Sequence, residues 1–397
     1  MKSLYKTLKR NWIVFLARQH FYGNPSKKIK IIGVTGTNGK TTITTFLYQL
    51  FRSLGYKVGM IGTVVNMVNS ERIDATHTTP DPISLNILLK KMVKAGCEYC
   101  FMEVSSHAID QNRTAGIKFA GGIFTNLTHD HLDYHKTIEG YRDVKKKFFD
   151  RLWENAFAIS NKDDLNGEYM LQNTKAKKYF YSLKKPADFT DRLKTKLIGE
   201  FNAYNLLAVY ATAVLLGEDK ENVKELIKSL EPVEGRFNYV KSSNGITGIV
   251  DYAHTPDALK NVLKTIVEMK YNRLPADKAR RIISVFGCGG DRDRTKRPIM
   301  ARIGHEMSDI IILTSDNPRT ENPDAIIEEM KKGLPSKIVN VHIISDRREA
   351  INKACTLAKK GDFILIAGKG HEKYQEINGE KTHFDDIEEL KKCFKND

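Results

Sequence analysis

The chain has 397 residues, 41% of them hydrophobic and 28% charged, a length that excludes one ordinary core and predicts two or three globular domains. A net charge of +16 favours anionic partners: nucleotides, phosphorylated or carboxylated substrates, or nucleic acid. Five cysteines (97, 100, 288, 355 and 393) make no even disulfide framework, so a reduced, cytoplasmic protein is expected, and no segment approaches the ~18 to 20 apolar residues of a membrane span.

At the N-terminus, "NWIVFLA" (11–17) follows the basic "MKSLYKTLKR". Its apolar run is too brief for a targeting signal and reads as a short helix. From Lys30 to about Gly217, strand-like runs alternate with helical patterns. "KIIGVT" precedes a helix over 39–54, and "KVGMIGTV" is the next strand. "PISLNILLKKMVKAG" is an amphipathic helix, followed by the strands "YCFMEV" and "GGIFTNL". Cys97 and Cys100 have no second ligand pair, so no zinc or redox role is expected of them. The polar, basic stretch 173–196 reads as a mobile excursion with peripheral strands at most. "FNAYNLLAVYATAVLLG" (201–217) is a helix with Gly217 as its C-cap. After a break near 231–240, a second series starts with "GITGIVDYA", "RIISVFGC", "DIIILTSD", "KIVNVHIIS" and "DFILIAGKG", each a buried-looking strand leading into a helix. The expected fold is α/β: a P-loop-type central domain with a mostly parallel sheet over 30–231, then a Rossmann-like domain over 232–397, preceded by a short helix and linker over 1–29.

The stretch "GTNGKTT" supplies the chemistry of a phosphate cradle. Gly36 and Gly39 let backbone amides approach phosphate oxygens, with Thr37 and Asn38 between them. Lys40 opens a helix whose N-terminus favours anions, and Thr41 or Thr42 offers a hydroxyl to Mg²⁺. Counted from Gly33, the spacing overshoots the generic P-loop by one residue, so that pattern is met only loosely.

The stretch "GVTGTNGKTT" resembles the ATP loop of the Mur ligases, ATP-dependent amino-acid-adding enzymes of peptidoglycan precursor synthesis. Further segments continue the resemblance in order: "THTTPDP" (76–82), "MEVSSHAIDQNR" (102–113), "TNLTHDHLDYH" (125–135), "YRDVKKKFF" (141–149) and "GEFNAYNLLA" (199–208). "GRF" (235–237), "DYAHTPDAL" (251–259), "FGCGGDRDRTKRP" (286–298), "DNPRTENP" (316–323) and "GKGHEKYQ" (368–375) complete it.

The resemblance implies both a chemistry and a set of site residues. In such enzymes ATP phosphorylates a substrate carboxylate, and an amine attacks the acyl phosphate to give an amide, ADP and phosphate. By the same resemblance Lys40 clamps the phosphates; Thr41, Glu103, His131 and Lys145 serve Mg²⁺, with Lys145 carbamylated by CO₂ so that it becomes an oxygen-donor anion. It further implies that Asn205 contacts adenine and that Arg236 and Asp251 reach the nucleotide. Thr78, Thr79, Ser105 and Arg113 match positions that hold the acidic substrate, a UDP-muramoyl dipeptide. Asp316, Asn317, Pro318 and Arg319 resemble the version of the motif that selects meso-diaminopimelate, with Arg292, Gly368 and Glu372 matching the remaining amino-acid contacts. Typical members carry an N-terminal UDP-binding domain of about a hundred residues, of which "FYGNPSKK" matches the end, which leaves three readings open: a fragment, a chain that borrows a partner for UDP recognition, or an acceptor with weaker nucleotide recognition. Two other readings compete: the same chemistry on a folylpolyglutamate-like or poly-γ-glutamate-like acceptor, and a basic nucleic-acid-binding module. "DNPR" with "GKGHE" argues against the first; the absence of interleaved aromatic and basic residues argues against the second.

Overall fold

The computed structural model describes residues 23–272, 280–336 and 339–395; the helix read at 11–17 lies outside them. The chain forms two compact units. The first comprises the chain up to Thr128 together with Thr137–Glu231, and the second comprises His129–Lys136 and the chain from Pro232 onward.

The first unit is built on β1 (Lys30–Thr35), β2 (Val58–Ile61), β3 (Val65–Val68), β4 (Glu71–Asp74), β5 (Tyr99–Glu103), β6 (Phe119–Phe124), β7 (Phe157–Asn161) and β8 (Lys177–Tyr181). They form one sheet in the order β4-β3-β2-β5-β1-β6-β7-β8, in which all pairs from β2 to β8 are parallel. The central strands are apolar on both faces because helices cover both, as buried Ile31, Ile32, Val34, Phe101 and Met102 illustrate. The helix Lys40–Ser53 follows β1 directly, and Asp81 and Thr137 cap the helices Pro82–Lys94 and Ile138–Asp150 through their side-chain oxygens. Phe148 of the latter helix lies where a Cβ on Gly33 would come within 2.6 Å of its ring, so a glycine in β1 is the condition for this close packing. The helix Glu200–Leu215 is buried along its middle, from Asn205 to Ala213, and Gly217 lies just beyond it at φ +102°, a conformation glycine adopts without strain.

Two expectations change here. The stretch after "KVGMIG" turns back on itself, and β3 and β4 add an antiparallel ribbon to the sheet edge. The segment 173–196 is anchored, not a free excursion. Its strand β8 pairs with β7, Tyr181 and Phe189 are buried, and Asp163 accepts hydrogen bonds from the Ser182 hydroxyl and the Leu183 amide.

The second unit contains β9 (Asn238–Lys241), β10 (Thr247–Asp251), β11 (Ile282–Phe286), β12 (Ile310–Leu313), β13 (Val341–Ile343) and β14 (Phe363–Ala367), in the order β13-β12-β11-β14-β10-β9. Only β9 is antiparallel. A separate hairpin pairs β15 (Tyr374–Ile377) with β16 (Glu380–His383). The core gathers Val250, Ile283, Val285, Ile312, Ile364 and Ile366 beneath the helices Arg347–Leu357 and Asp386–Lys395. Against expectation, β13 is a half-exposed edge strand, since only one neighbour pairs with it.

In each unit the loops leaving the carboxyl ends of the parallel strands carry the sequence motifs. Ligands of open α/β sheets bind in that position.

Candidate functional site

In the first unit the loop between β1 and the helix Lys40–Ser53 is fastened from behind. The Thr37 amide donates to the Asn126 carbonyl at 2.8 Å, and the Asn38 amide to Asn126 Oδ1 at 2.9 Å. Thr125 Oγ1 donates to the Asn38 carbonyl at 2.6 Å. Gly36 and Gly39 have φ of +149° and +87°, and a Cβ on Gly36 would fall 1.8 Å from Thr125 Oγ1. One on Gly39 would fall 2.6 Å from Asn205 Oδ1, which places the residue read as an adenine contact against the loop. Gly39 is the N-cap and brings no side chain, so the positive end of the helix dipole stays uncovered by a capping group. Lys40 Nζ donates to the carbonyls of Gly36 and Thr37 at 3.0 and 2.7 Å, holding its charge over the loop. Thr41 and Thr42, in the first helical turn, are buried.

Lys145 reaches the same loop from the helix Ile138–Asp150. Its amine is buried, donates to the Gly36 carbonyl at 2.7 Å and lies 4.4 Å from the centre of the Tyr141 ring. Tyr141 is itself within hydrogen-bond reach of Thr37 Oγ1, at 3.3 Å. Glu103 ends β5, buried, and both its oxygens are engaged by Thr63: the amide at 2.8 Å and the hydroxyl at 3.0 Å. Thr63 Oγ1 also lies 3.0 Å from Thr78 Oγ1. Thr79 Oγ1 donates to the Glu103 carbonyl and accepts from the Ser105 amide, while Arg113 Nη1 donates to the Thr79 carbonyl at 2.8 Å. Thr78, Thr79, Ser105 and Arg113 are thus linked to Glu103 in one network. Sequence reasoning missed Thr63, Thr125, Asn126 and Tyr141, whose roles arise from contacts 40 to 104 residues away in the chain.

His131 belongs by its contacts to the second unit. It has φ +56°, and its Nε2 lies 3.3 Å from Asp130 Oδ2. Burial alone would raise the Asp130 carboxyl, but Lys296 at 3.5 Å, His131 and His254 hold it well below the usual range. His129 pairs with Asp293 at 3.0 Å. Among the described residues, no three His, Cys, Asp or Glu side chains converge as a preformed metal cage. The carboxylate and hydroxyl donors in the first unit, Glu103 and Thr41, suit a hard cation that keeps oxygen ligands from elsewhere.

Two of the second unit's motifs, "DNPR" and "GKGHE", meet around Asn317. Its Oδ1 accepts from Lys369 Nζ at 2.8 Å and from the Glu376 amide at 3.0 Å, and its Nδ2 donates to Glu372 Oε2 at 2.7 Å. Burial pushes the Glu372 carboxyl up, with nearby Asp316 adding to the effect. Burial does the same to Asp316, but Lys369, Arg347 and Arg319 outweigh it and hold the carboxyl down. Gly368 has φ +119°, and a Cβ there would come within 2.3 Å of Asp316 Oδ2. Arg319 sits at φ +53°, and its Nη1 donates to the Gly290 carbonyl at 2.8 Å. Arg292 is exposed and bonds the neighbouring Asp291 carbonyl. The site therefore offers cations and a carboxylate side by side. Lys369 was missed in the sequence, although it lies inside "GKGHE".

Arg236 and Asp251 lie beside each other in the same unit. Burial pushes Asp251 up to about 6 against the pull of Arg236 and of the Phe237 amide, which donates to it at 2.7 Å. The Arg236 guanidinium lies 4.6 Å from the centre of the Tyr252 ring, which also packs on His254 and His371.

Residues 34–213 match the Mur ligase middle domain, and residues 235–370 match the Mur ligase glutamate ligase domain. The UDP-N-acetylmuramoyl-L-alanyl-D-glutamate--2,6-diaminopimelate ligase of Cytophaga hutchinsonii is 57% identical over 387 residues, covering 92% of this chain and 78% of that protein. The enzyme of the same name from Clostridioides difficile is 45% identical over 94% of this chain and 80% of its own length. A solved structure of a UDP-N-acetylmuramoyl-L-alanyl-D-glutamate--2,6-diaminopimelate ligase superimposes with a TM-score of 0.62 at 34% identity, over 96% of this chain and 80% of that one. The Mycobacterium tuberculosis folylpolyglutamate synthase complexed with ADP and AMPPCP superimposes with a TM-score of 0.72 at 17% identity, over 91% and 92% of the two chains, a likeness of fold alone. With a fastened glycine-rich loop in one unit, paired cations and carboxylates in the other, both family domains matched and such identity over nearly its whole length, the chain belongs to the Mur ligase family of ATP-dependent ligases.

Proposed function

We propose that this enzyme adds meso-diaminopimelate to UDP-N-acetylmuramoyl-L-alanyl-D-glutamate, forming an amide at the expense of ATP. The observation that carries the choice of amino acid is the cluster of Arg319, Lys369, Asn317 and Glu372, which presents both signs of charge around one buried amide. The far end of diaminopimelate is a zwitterion and needs that pairing; the far end of lysine is an ammonium alone. Arg319 is the partner for the carboxylate, since its planar fork suits two oxygens, and Glu372 is the partner for the ammonium.

The amide-forming steps need the phosphates, the substrate carboxylate and the amine to be held together while negative charge develops. Lys40 and the amides at the start of its helix stabilise the phosphates. Thr78, Thr79, Ser105 and Arg113 orient the acidic substrate, and Asn205, Arg236 and Asp251 hold the nucleotide. Mg²⁺, held by Thr41, Glu103 and a carbamylated Lys145, would supply charge neutralisation at the transferring phosphoryl group. Carbamylation joins Lys145 Nζ to CO₂ with loss of two protons from the ammonium, replacing a buried cation by an anion with two oxygens. His131 keeps, as a proposal, the metal-binding role that the family resemblance gives it.

Phosphate release tests the reading. UDP-muramoyl-dipeptide with ATP is incubated with meso-diaminopimelate, with L-lysine, or with neither. Diaminopimelate is expected to drive release, with discrimination of about 10² or more over lysine, because lysine leaves Arg319 without the carboxylate it is placed to meet. Equal turnover of the two would sink the specificity assignment. Repeating the assay with a substrate stripped of UDP reports how much the nucleotide handle contributes.

A further inference from the structure

We infer that Arg297 is a positioning residue for amino-acid selection, acting through Arg319, and that Asp291 and Thr320 complete the clamp it forms. The inference rests on the proposed diaminopimelate chemistry and deepens it. Arg319 occupies a left-handed backbone conformation on a loop, which persists only where the surroundings hold it. Its aim is set by the Gly290 carbonyl, which accepts from Arg319 Nη1 at 2.8 Å, while the Gly290 amide donates back to the Asn317 carbonyl at 2.9 Å. The loops after β11 and β12 therefore determine each other's position at this point.

Arg297 ties those loops together from below. It is fully buried in the helix Lys296–Met307, and none of the family roles assigned above uses it. Its Nη2 donates to the Gly289 carbonyl at 3.2 Å on one loop and to Glu321 Oε1 at 2.7 Å on the other. Its Nη1 donates to Glu321 Oε2 at 2.9 Å and to Glu329 Oε2 at 2.8 Å. Glu321 is only two residues past Arg319, and the hydrogen bond from Arg297 holds its carboxyl down at about 2, so it stays ionised at working pH. From the exposed side, the Asp291 amide donates to Glu321 Oε1 at 2.6 Å, and Thr320 Oγ1 donates to the Asp291 carboxylate at 2.8 Å. Gly289 leaves room for the selecting guanidinium, since a Cβ there would come within 2.9 Å of Arg319 Nη1. One guanidinium thus fixes the loop on either side of the one that meets substrate. A lysine at 297 would keep the charge but could not bridge Gly289 and Glu321 together.

The test uses the full chain with Arg297→Lys and, in case the buried site fails to fold, Thr320→Val and Asp291→Asn at the exposed end. Each should raise the KM for meso-diaminopimelate about tenfold while kcat and the KM for ATP stay within about threefold, and should lower the preference over lysine. Hydrogen exchange provides a readout independent of turnover: the Gly290 and Asp291 amides, bonded to the Asn317 carbonyl and to Glu321, should exchange about tenfold faster in the variants. Unchanged exchange at those amides overturns the clamp, whatever the wild-type activity. Faster exchange with an unaltered KM for diaminopimelate, or an equal rise in KM for both substrates, overturns the positioning role. A wild type that turns over no diaminopimelate overturns the proposed substrate, and the role in selecting it, but leaves the exchange readout standing.

Discussion

Lys145 is the residue whose chemistry changes most between sequence and fold. In the sequence it is one of three consecutive lysines on a basic helix. In the structure it is 1% exposed and bonded to the Gly36 carbonyl, while Lys146 pairs with Asp150 and Lys147 is exposed. If the carbamate is the working form, Lys145→Ala should reduce kcat by at least about 10², and bicarbonate or short carboxylic acids should restore part of it. Activity that survives in the variant without such additives rules the assignment out. Two histidines in the second unit govern a separate property. His371 carries the larger part: burial, with Arg236 adding to it, lowers it to about 3, whereas His254 is lowered in the same direction but its side chain is 36% exposed and solvent screens the effect. Their folded values lie below the unfolded value near 6.5, so the unfolded chain binds more protons as acid is added. Stability should be complete above about pH 7 and fall as pH drops through the unfolded value. Asp251, raised to about 6, acts in the opposite sense and takes up protons over part of the same range, so it offsets some of the decline between about pH 7 and 6, and the difference between wild type and a histidine variant is what reads the histidine. Urea unfolding across that range should show the decline, and His371→Gln should flatten it; a variant that declines as steeply as the wild type contradicts the argument.

At the level of elements, the parallel strands were legible because burial on both faces leaves unbroken apolar runs such as "KIIGVT" and "DIIILT". The ribbon of β3 and β4 was not, since four-residue strands with β4 almost wholly exposed carry no strong period. Edge strand β13 was read as buried because its isoleucine and valine content matches that of its neighbours, and composition does not report how many partners a strand has. The phosphate loop was legible in residue type and not in mechanism. Its glycines were read as permitting approach to phosphate, whereas Gly36 is also needed to accommodate Thr125 behind the loop. Gly36→Ala should therefore both destabilise the first unit, by about 1–3 kcal/mol, and weaken ATP binding by at least about tenfold. Thermal unfolding and calorimetric ATP titration check this, and an alanine variant that binds ATP within about twofold of wild type would show that the loop yields more easily than the packing suggests.

For the molecule as a whole, fold and function are separable. The folylpolyglutamate synthase superimposes with the higher TM-score, yet sequence identity aligns this chain with the diaminopimelate-adding enzymes. The charge of +16 points to anionic partners as a class, nucleic acid included, without indicating which. The units, moreover, are not consecutive stretches of chain, because His129–Lys136 packs with residues that follow Pro232. Asp130 and Lys296, both nearly inaccessible to solvent, are the buried expression of this. A recombinant chimaera that exchanges everything after residue 231 between two relatives therefore inherits Asp130 from one parent and Lys296 from the other. Denaturation of paired chimaeras should show that moving 129–136 along with the C-terminal part restores stability lost in the single-crossover version; equal stability would mean the segment adapts to either parent. The recombination boundary of this protein thus has three junctions, at 128/129, 136/137 and 231/232, and an exchange that respects only the last divides a compact unit.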